Sequence, residues 1–239
     1  MNDISWLGRT SLLIGEDKVK QLTQKHVMIV GMGGVGSFAA EFICRSGIGK
    51  MTIIDGDVVD PTNRNRQLPA LATNHGVSKA DIMTERLLSI NPSLEIKAVK
   101  EFINPEMVEE LFIDQPDYII DAIDSITPKL MFIRIAFEKK LKIISSMGAG
   151  GKLDPTQIQV ADISKTYNCP FAQQVRKMLK VHKIYKGLNT VFSPEESNKE
   201  SLMFTDGTNY KKSAYGTVSY MPATFGAIAA SVVIRDLIK

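Results

Sequence analysis

The chain has 239 residues, 44% apolar and 23% charged, ordinary globular values that exclude wholesale disorder and a fibrous architecture. Its two cysteines, Cys44 and Cys169, cannot form a secreted disulfide framework or a four-thiolate zinc site. Met1 to Gly15 shows no basic stretch followed by a long apolar run, so no signal peptide is expected and a cytoplasmic location is.

Charge is unevenly spread: residues 1–162 carry a net −3 and residues 163–239 a net +6, with no Asp or Glu between 163 and 194. One reading is an anionic partner, nucleic acid being the commonest; the other is a solvated lysine-rich helix face.

In chain order, HVMIV (26–30), MTIID (51–55), LEIKAV (94–99), DYIID (117–121), LKIIS (141–145) and TQIQV (156–160) read as strands. Helical spacing falls between them at 34–46, 78–90, 105–112 and 128–139. Strand and helix in alternation predict an α/β fold with a Rossmann-like, mostly parallel sheet and helices on both faces. C-terminal strands and an apolar helix at 223–238, opened by Pro222, extend it. The sequence divides into an α/β core (1–162) and a basic crossover segment with a loop and C-terminal helix (163–239), integrated into one domain. Ser193 to Asn209 reads as a long mobile loop. The uncharged run Tyr215 to Ile234 has the length of a membrane span, but Gly, Ser, Thr, Pro and Ala dilute it. A buried or dimer-interface helix is expected, with peripheral membrane contact as the alternative and no integral membrane association.

Gly31, Gly33, Gly34 and Gly36 follow the first strand and run into a helix, a loop whose backbone can approach phosphates at a helix N-terminus. Asp55 ends the second strand, where a carboxylate can bond ribose hydroxyls. Alone this is a nucleotide-binding unit, and a nicotinamide dehydrogenase is the default reading. Asn63, Arg64 and Arg66 then follow, with Lys79 at the start of the next helix; these cations suit a triphosphate and its leaving pyrophosphate. Asp121 and Asp124 lie at a strand end, where a carboxylate can hold Mg²⁺. Each residue also has a plain structural reading: Arg66 in a surface ion pair, Lys79 beside a helix cap, Asp124 as the N-cap of the helix near Pro128.

The order GxGGxG, acidic strand end, N-x-x-R-Q, helix lysine and D-x-x-D resembles the ubiquitin-activating-like adenylyltransferase superfamily. The resemblance implies ATP-driven conversion of a carboxylate to an acyl adenylate. Arg9, Arg66 and Lys79 would stabilise the leaving pyrophosphate and Asp124 would hold Mg²⁺. The glycines, Asp55, Asp57, Asn63 and Gln67 would bind ATP. It also implies a homodimer, because Arg9 would reach the triphosphate of a second copy. No CxxC pair is present, so zinc is not expected, and no cysteine lies at 193–213 to support thioester transfer.

Residues 145–166, with RTSLLIG (9–15) and AIDSITPK (122–129), resemble one branch, the tRNA threonylcarbamoyladenosine dehydratases. That resemblance implies a tRNA substrate carrying threonylcarbamoyladenosine, cyclised with loss of water. Lys165, Arg176, Lys177, Lys180 and Lys183 would then hold tRNA phosphates, with steep salt dependence, and Tyr167 or Phe171 could stack on a base. An adenylyltransferase for a ubiquitin-like or sulfur-carrier protein is the alternative. Open at this point are a monovalent cation near Gly148–Gly151, a sulfur-transfer or electron-transfer protein partner, and the exposure of Cys169.

Overall fold

The computed structural model describes residues 3–103, 105–204 and 213–239. Two short helices, α1 (Gly8–Ile14) and α2 (Glu16–Leu22), precede β1 (His26–Val30), whose five residues, His26 and four apolar ones, are buried throughout. There follow α3 (Gly36–Arg45), β2 (Lys50–Ile54), α4 (Lys79–Ile90), β3 (Glu95–Val99), α5 (Pro105–Leu111) and β4 (Tyr118–Asp121). The second half contains α6 (Ile126–Glu138), β5 (Ile143–Ser146), β6 (Gln159–Asp162), α7 (Pro170–Val181) and β7 (Asn189–Phe192). A two-stranded hairpin, β8 (Leu202–Phe204) and β9 (Ser213–Tyr215), leads to α8 (Tyr220–Leu237).

The seven-stranded sheet has the order β3-β2-β1-β4-β5-β7-β6. All pairs are parallel except β6 with β7. The expected strand at 156–160 is corrected by this. It starts with a 3-10 turn at Pro155–Gln157, and the strand itself is Gln159–Asp162, running antiparallel at the sheet edge. The expected C-terminal strands had no bounds; β7 is one of them and lies between β5 and β6, so residues after 163 complete the same sheet as those before. Of the expected loop Ser193 to Asn209, residues 205–209 lie outside the described residues. The rest holds a 3-10 turn at Lys199–Ser201 and β8.

Both sheet faces are covered, as parallel strands require. On one face Ala39, Ala40, Ile43 and Cys44 of α3 meet Met221, Phe225, Ala229 and Val233 of α8, with Met83 and Leu87 of α4 beside them. On the other, Phe112, Phe132, Ile133 and Ala136 join Ala172, Val175 and Leu179 of α7. The expected helix at 223–238 is therefore a buried packing element. Among the described residues no helix is long and apolar enough to cross a membrane. Its approach to α3 depends on Gly226, where a Cβ would lie 2.4 Å from the Val35 carbonyl oxygen.

Candidate active site at the sheet switch point

Strand order reverses between β1 and β4, the place where open α/β sheets bind ligands. Register sets Val30 level with Ile54 and with Asp121, so Gly31, Asp55 and Ala122 leave the sheet side by side. Gly31 has φ +90°, and a Cβ there would come within 2.9 Å of the Ala122 carbonyl oxygen. A Cβ on Gly36 would sit 1.7 Å from the Gly31 carbonyl oxygen, so no other residue closes this turn into α3. Gly34 lies against Pro222 of α8, and Gly33 against Gln67, whose buried Oε1 has no hydrogen-bond partner among the described residues. A glycine-lined turn beside an orphaned acceptor fits a nucleotide with donors of its own.

The neighbouring polar residues are held by one another. Asp55 accepts the Met32 N–H (2.5 Å) and the Asp57 N–H (2.7 Å). Burial raises its pKa despite the nearby Lys79 ammonium. Lys79, almost fully buried at the first position of α4, donates to Asp57 Oδ2 at 2.9 Å. Asn63 closes a 3-10 turn at Pro61–Asn63 by accepting the Asp60 N–H through Oδ1 at 3.2 Å. Arg66 is half-buried, and its Nη1 donates to the Thr62 carbonyl (3.0 Å) and Asn65 Oδ1 (2.9 Å). Burial lowers the guanidinium pKa, while Asp124 and Asp60 oppose that. Asp124 is exposed, and the N-cap position of α6 belongs to Ser125, so the plain reading of Asp124 as that cap does not apply. The site thus holds a glycine turn, a half-buried guanidinium that feels the Asp124 charge, and the Lys79–Asp57 ion pair that an incoming phosphate can open.

One residue of this region was missed. Lys129 of α6 is fully buried, and its Nζ donates to Asp121 Oδ2 (2.7 Å), Ser145 Oγ (3.1 Å) and the Ser146 carbonyl (3.0 Å). Asp121, a candidate cation ligand by its strand-end position, is committed to this network, and its Oδ1 accepts the Ile123 N–H at 3.0 Å. Burial pushes the Lys129 pKa down and Asp121 pushes it back up. The signal was available: in ITPKLMFIRIAF the lysine is followed by four apolar residues and the stretch is mostly apolar.

Arg9 is exposed on α1, beside Leu12 and Leu13. Of the expected phosphate contacts, Lys165, Lys177, Lys180 and Lys183 are exposed. Arg176 differs: it is half-buried, and its Nη1 donates to the backbone carbonyls of Ile163 (3.2 Å) and Thr166 (2.8 Å). Cys169, whose exposure the sequence left open, is buried at the N-cap of α7. Cys44 is a core residue, its Sγ–H donating to the Leu87 carbonyl at 3.4 Å, and burial pushes the thiol up to about 12. Among the described residues no group of three or more His, Cys, Asp or Glu side chains could hold a metal.

The ThiF family matches residues 7–239. The tRNA threonylcarbamoyladenosine dehydratase of Bacillus subtilis is 39% identical over 238 residues, covering 97% of this chain and 94% of the relative. That of Escherichia coli is 38% identical over 247 residues, covering 96% and 92%. The solved structure of the E. coli tRNA N6-threonylcarbamoyladenosine dehydratase in complex with ATP superposes with a TM-score of 0.89 at 37% identity, covering 100% of this chain and 97% of that one. With a glycine turn at the switch point and likeness over nearly its whole length, this chain belongs to the ThiF family and, within it, to the tRNA threonylcarbamoyladenosine dehydratases.

Proposed function

We propose that this chain uses ATP to cyclise N6-threonylcarbamoyladenosine beside the tRNA anticodon, with net loss of water. The threonyl carboxylate attacks the α-phosphorus of ATP, and pyrophosphate leaves. Ring closure within the same side chain then expels AMP, carrying away the carboxylate oxygen. A carboxylate is already an anionic nucleophile, so the first step needs charge stabilisation more than proton transfer. Ring closure is intramolecular and gains from proximity. Arg66 and Lys79 stabilise the departing pyrophosphate, Lys79 exchanging Asp57 for phosphate oxygen. The glycine turn, Asp55, Asn63 and Gln67 hold the nucleotide.

Mg²⁺ fits this site through Asp124, because the ion keeps few protein ligands and otherwise takes phosphate and water. Bound there it would neutralise phosphate charge. The working enzyme is a cytoplasmic homodimer, with Arg9 supplied by the second copy. The exposed lysines 165, 177, 180 and 183 track tRNA phosphates.

The observation that carries the reading is the half-buried Arg66 packed on the glycine turn, its carbonyl oxygen 3.2 Å from where a Cβ on Gly34 would lie, with the Asp124 charge acting on its guanidinium. The test is mass spectrometry of tRNA nucleosides after incubating threonylcarbamoylated tRNA with the protein, Mg²⁺ and ATP. An ATP-dependent loss of one water from the modified adenosine is expected. Arg66→Ala and Asp124→Ala should each cut turnover by roughly 100-fold or more, in line with loss of one charge-stabilising group, and leave tRNA binding intact. Full turnover by either variant removes the proposed site. No mass change despite ATP binding favours an adenylyltransferase acting on a carrier protein.

A further inference from the structure

A cavity of about 510 Å³ opens between the start of α7 and the segment leading into the β8–β9 hairpin. That volume is within the range of small-ligand pockets. None of its lining residues belongs to the glycine turn, to which it is linked through Gly150, Thr217 and Asn65. Tyr215, which lines it, lies against Gly150, where a Cβ would come within 2.9 Å of the ring-bearing Cβ. Gly150 also faces Thr217, whose carbonyl accepts the Asn65 Nδ2 at 2.9 Å, next in sequence to Arg66.

The lining suits a heteroaromatic ring with a polar edge. Tyr167 is 50% exposed, yet its ring is held edge-on to Phe192 at 5.7 Å, and its hydroxyl accepts Gln159 Nε2 at 3.1 Å. Asn168 follows with φ +48°, a left-handed conformation that asparagine tolerates better than most residues. The amides of Asn168 and Gln173 make no side-chain hydrogen bond among the described residues, so each offers both a donor and an acceptor. Lys199 and Glu196 close the opposite rim. The N-terminus of α7 opens on the cavity with no side-chain cap, adding positive potential.

We propose that this cavity receives an unpaired base of the substrate RNA adjacent to the modified adenosine. The base lies against Tyr167 with its polar edge on Asn168 and Gln173, while the backbone passes the exposed Lys165, Lys177 and Lys180. Sequence-specific RNA recognition takes splayed-out bases in this way, by aromatic stacking and amide contacts to base edges. The polar lining fits a base better than the apolar anchor of a protein partner.

The proposal rests on the tRNA reading, and the test separates the two. A fluorescent anticodon stem-loop is titrated with the full chain, intact or with an abasic site beside the modified adenosine. The abasic site should weaken binding to the wild type by about tenfold, as expected for one stacked base. Tyr167→Leu, which keeps an apolar contact to Phe192, and Gln173→Ala, on an exposed position, should weaken the intact stem-loop by about as much. Both should bind the abasic and intact forms alike, with ATP affinity unchanged. Variants that still discriminate against the abasic site, or a wild type that never does, overturn the pocket assignment alone. A wild type that binds neither the stem-loop nor whole tRNA overturns the RNA reading and the pocket with it. Loss of binding to a protein partner with RNA binding unchanged assigns the cavity to protein and overturns the proposal.

Discussion

The Lys129 ammonium and the Asp121 carboxylate are both fully buried, and every contact of that ammonium described above is with protein oxygen. A buried pair is weak evidence for stability, but removing one member leaves the other charge unpaired, at a cost of about 3–5 kcal/mol. Lys129→Met should therefore lower the melting temperature by roughly 10 °C, using about 2–4 °C per kcal/mol for a chain of this size. Asp121→Asn should do the same, and the double variant should lose less than the sum. Thermal melts of the four proteins check this; strictly additive losses would show that the two groups are not coupled. Lys129 escaped a reading by motif because a lysine after a proline in a helix resembles a solvent residue; only its apolar flanks speak against that. The glycine turn could be read from the sequence because a GxGGxG run between a strand and a helix admits few other shapes, and Asp55, Arg66 and Lys79 could be named beside it only through the order the resemblance supplies. That Asp57 holds Lys79, and Asn63 a 3-10 turn, depends on folded geometry that spacing alone does not contain.

At the scale of elements, β1 and β2 are joined by more than their ladder. His26, 6% exposed, is bonded through Nε2 to Thr52 Oγ1 at 2.9 Å, and its Nδ1 has no partner among the described residues. Burial lowers its pKa below the ordinary 6.5, with Asp114 pulling weakly the other way. The folded protein thus holds a neutral ring that the unfolded chain protonates. Stability is complete above pH 6.5 and falls as pH drops below it, by up to about 1.4 kcal/mol per pH unit until the folded pKa is reached. His26→Gln keeps an amide for Thr52 and removes the titration. Urea unfolding between pH 7.5 and 5.5 should show the wild type losing stability faster than the variant. Parallel losses would mean that His26 does not set the acid limb. Strands β1 to β5 announced themselves as β-branched runs, whereas β7 did not. Its four residues, NTVF, sit inside a segment whose charge was the stronger signal. The same charge hid the apolar face of α7, Ala172, Val175 and Leu179, which packs on the sheet while Lys177 and Lys180 remain in solvent.

At the scale of the whole molecule, helix α1 presents an apolar surface that a single copy does not cover. Helix α1 has no buried residue, and Leu12 and Leu13 are 89% and 85% exposed. Just before it, Leu7 lies over Gly47, beyond the C-terminal end of α3, whereas the glycine turn is at the N-terminal end. Ten residues of helix separate those ends by about 15 Å. An Arg9 on the helix that starts beside Gly47 is thus anchored at the wrong end of its own α3 to serve its own glycine turn, while an apolar α1 surface is free to meet a second copy. This geometry motivates the proposal that each site combines Arg66 of one subunit with Arg9 of the other, and complementation tests it. Arg9→Ala and Arg66→Ala homodimers should both be inactive. Unfolded together and refolded at equal amounts, they pair at random; half the dimers are mixed, and each mixed dimer has one intact site of two. About a quarter of wild-type dehydration should therefore return, as a two-fold interface demands. If both arginines act within one chain, mixing restores nothing. If the protein is monomeric by sedimentation and fully active, Arg9 has no role in trans at all.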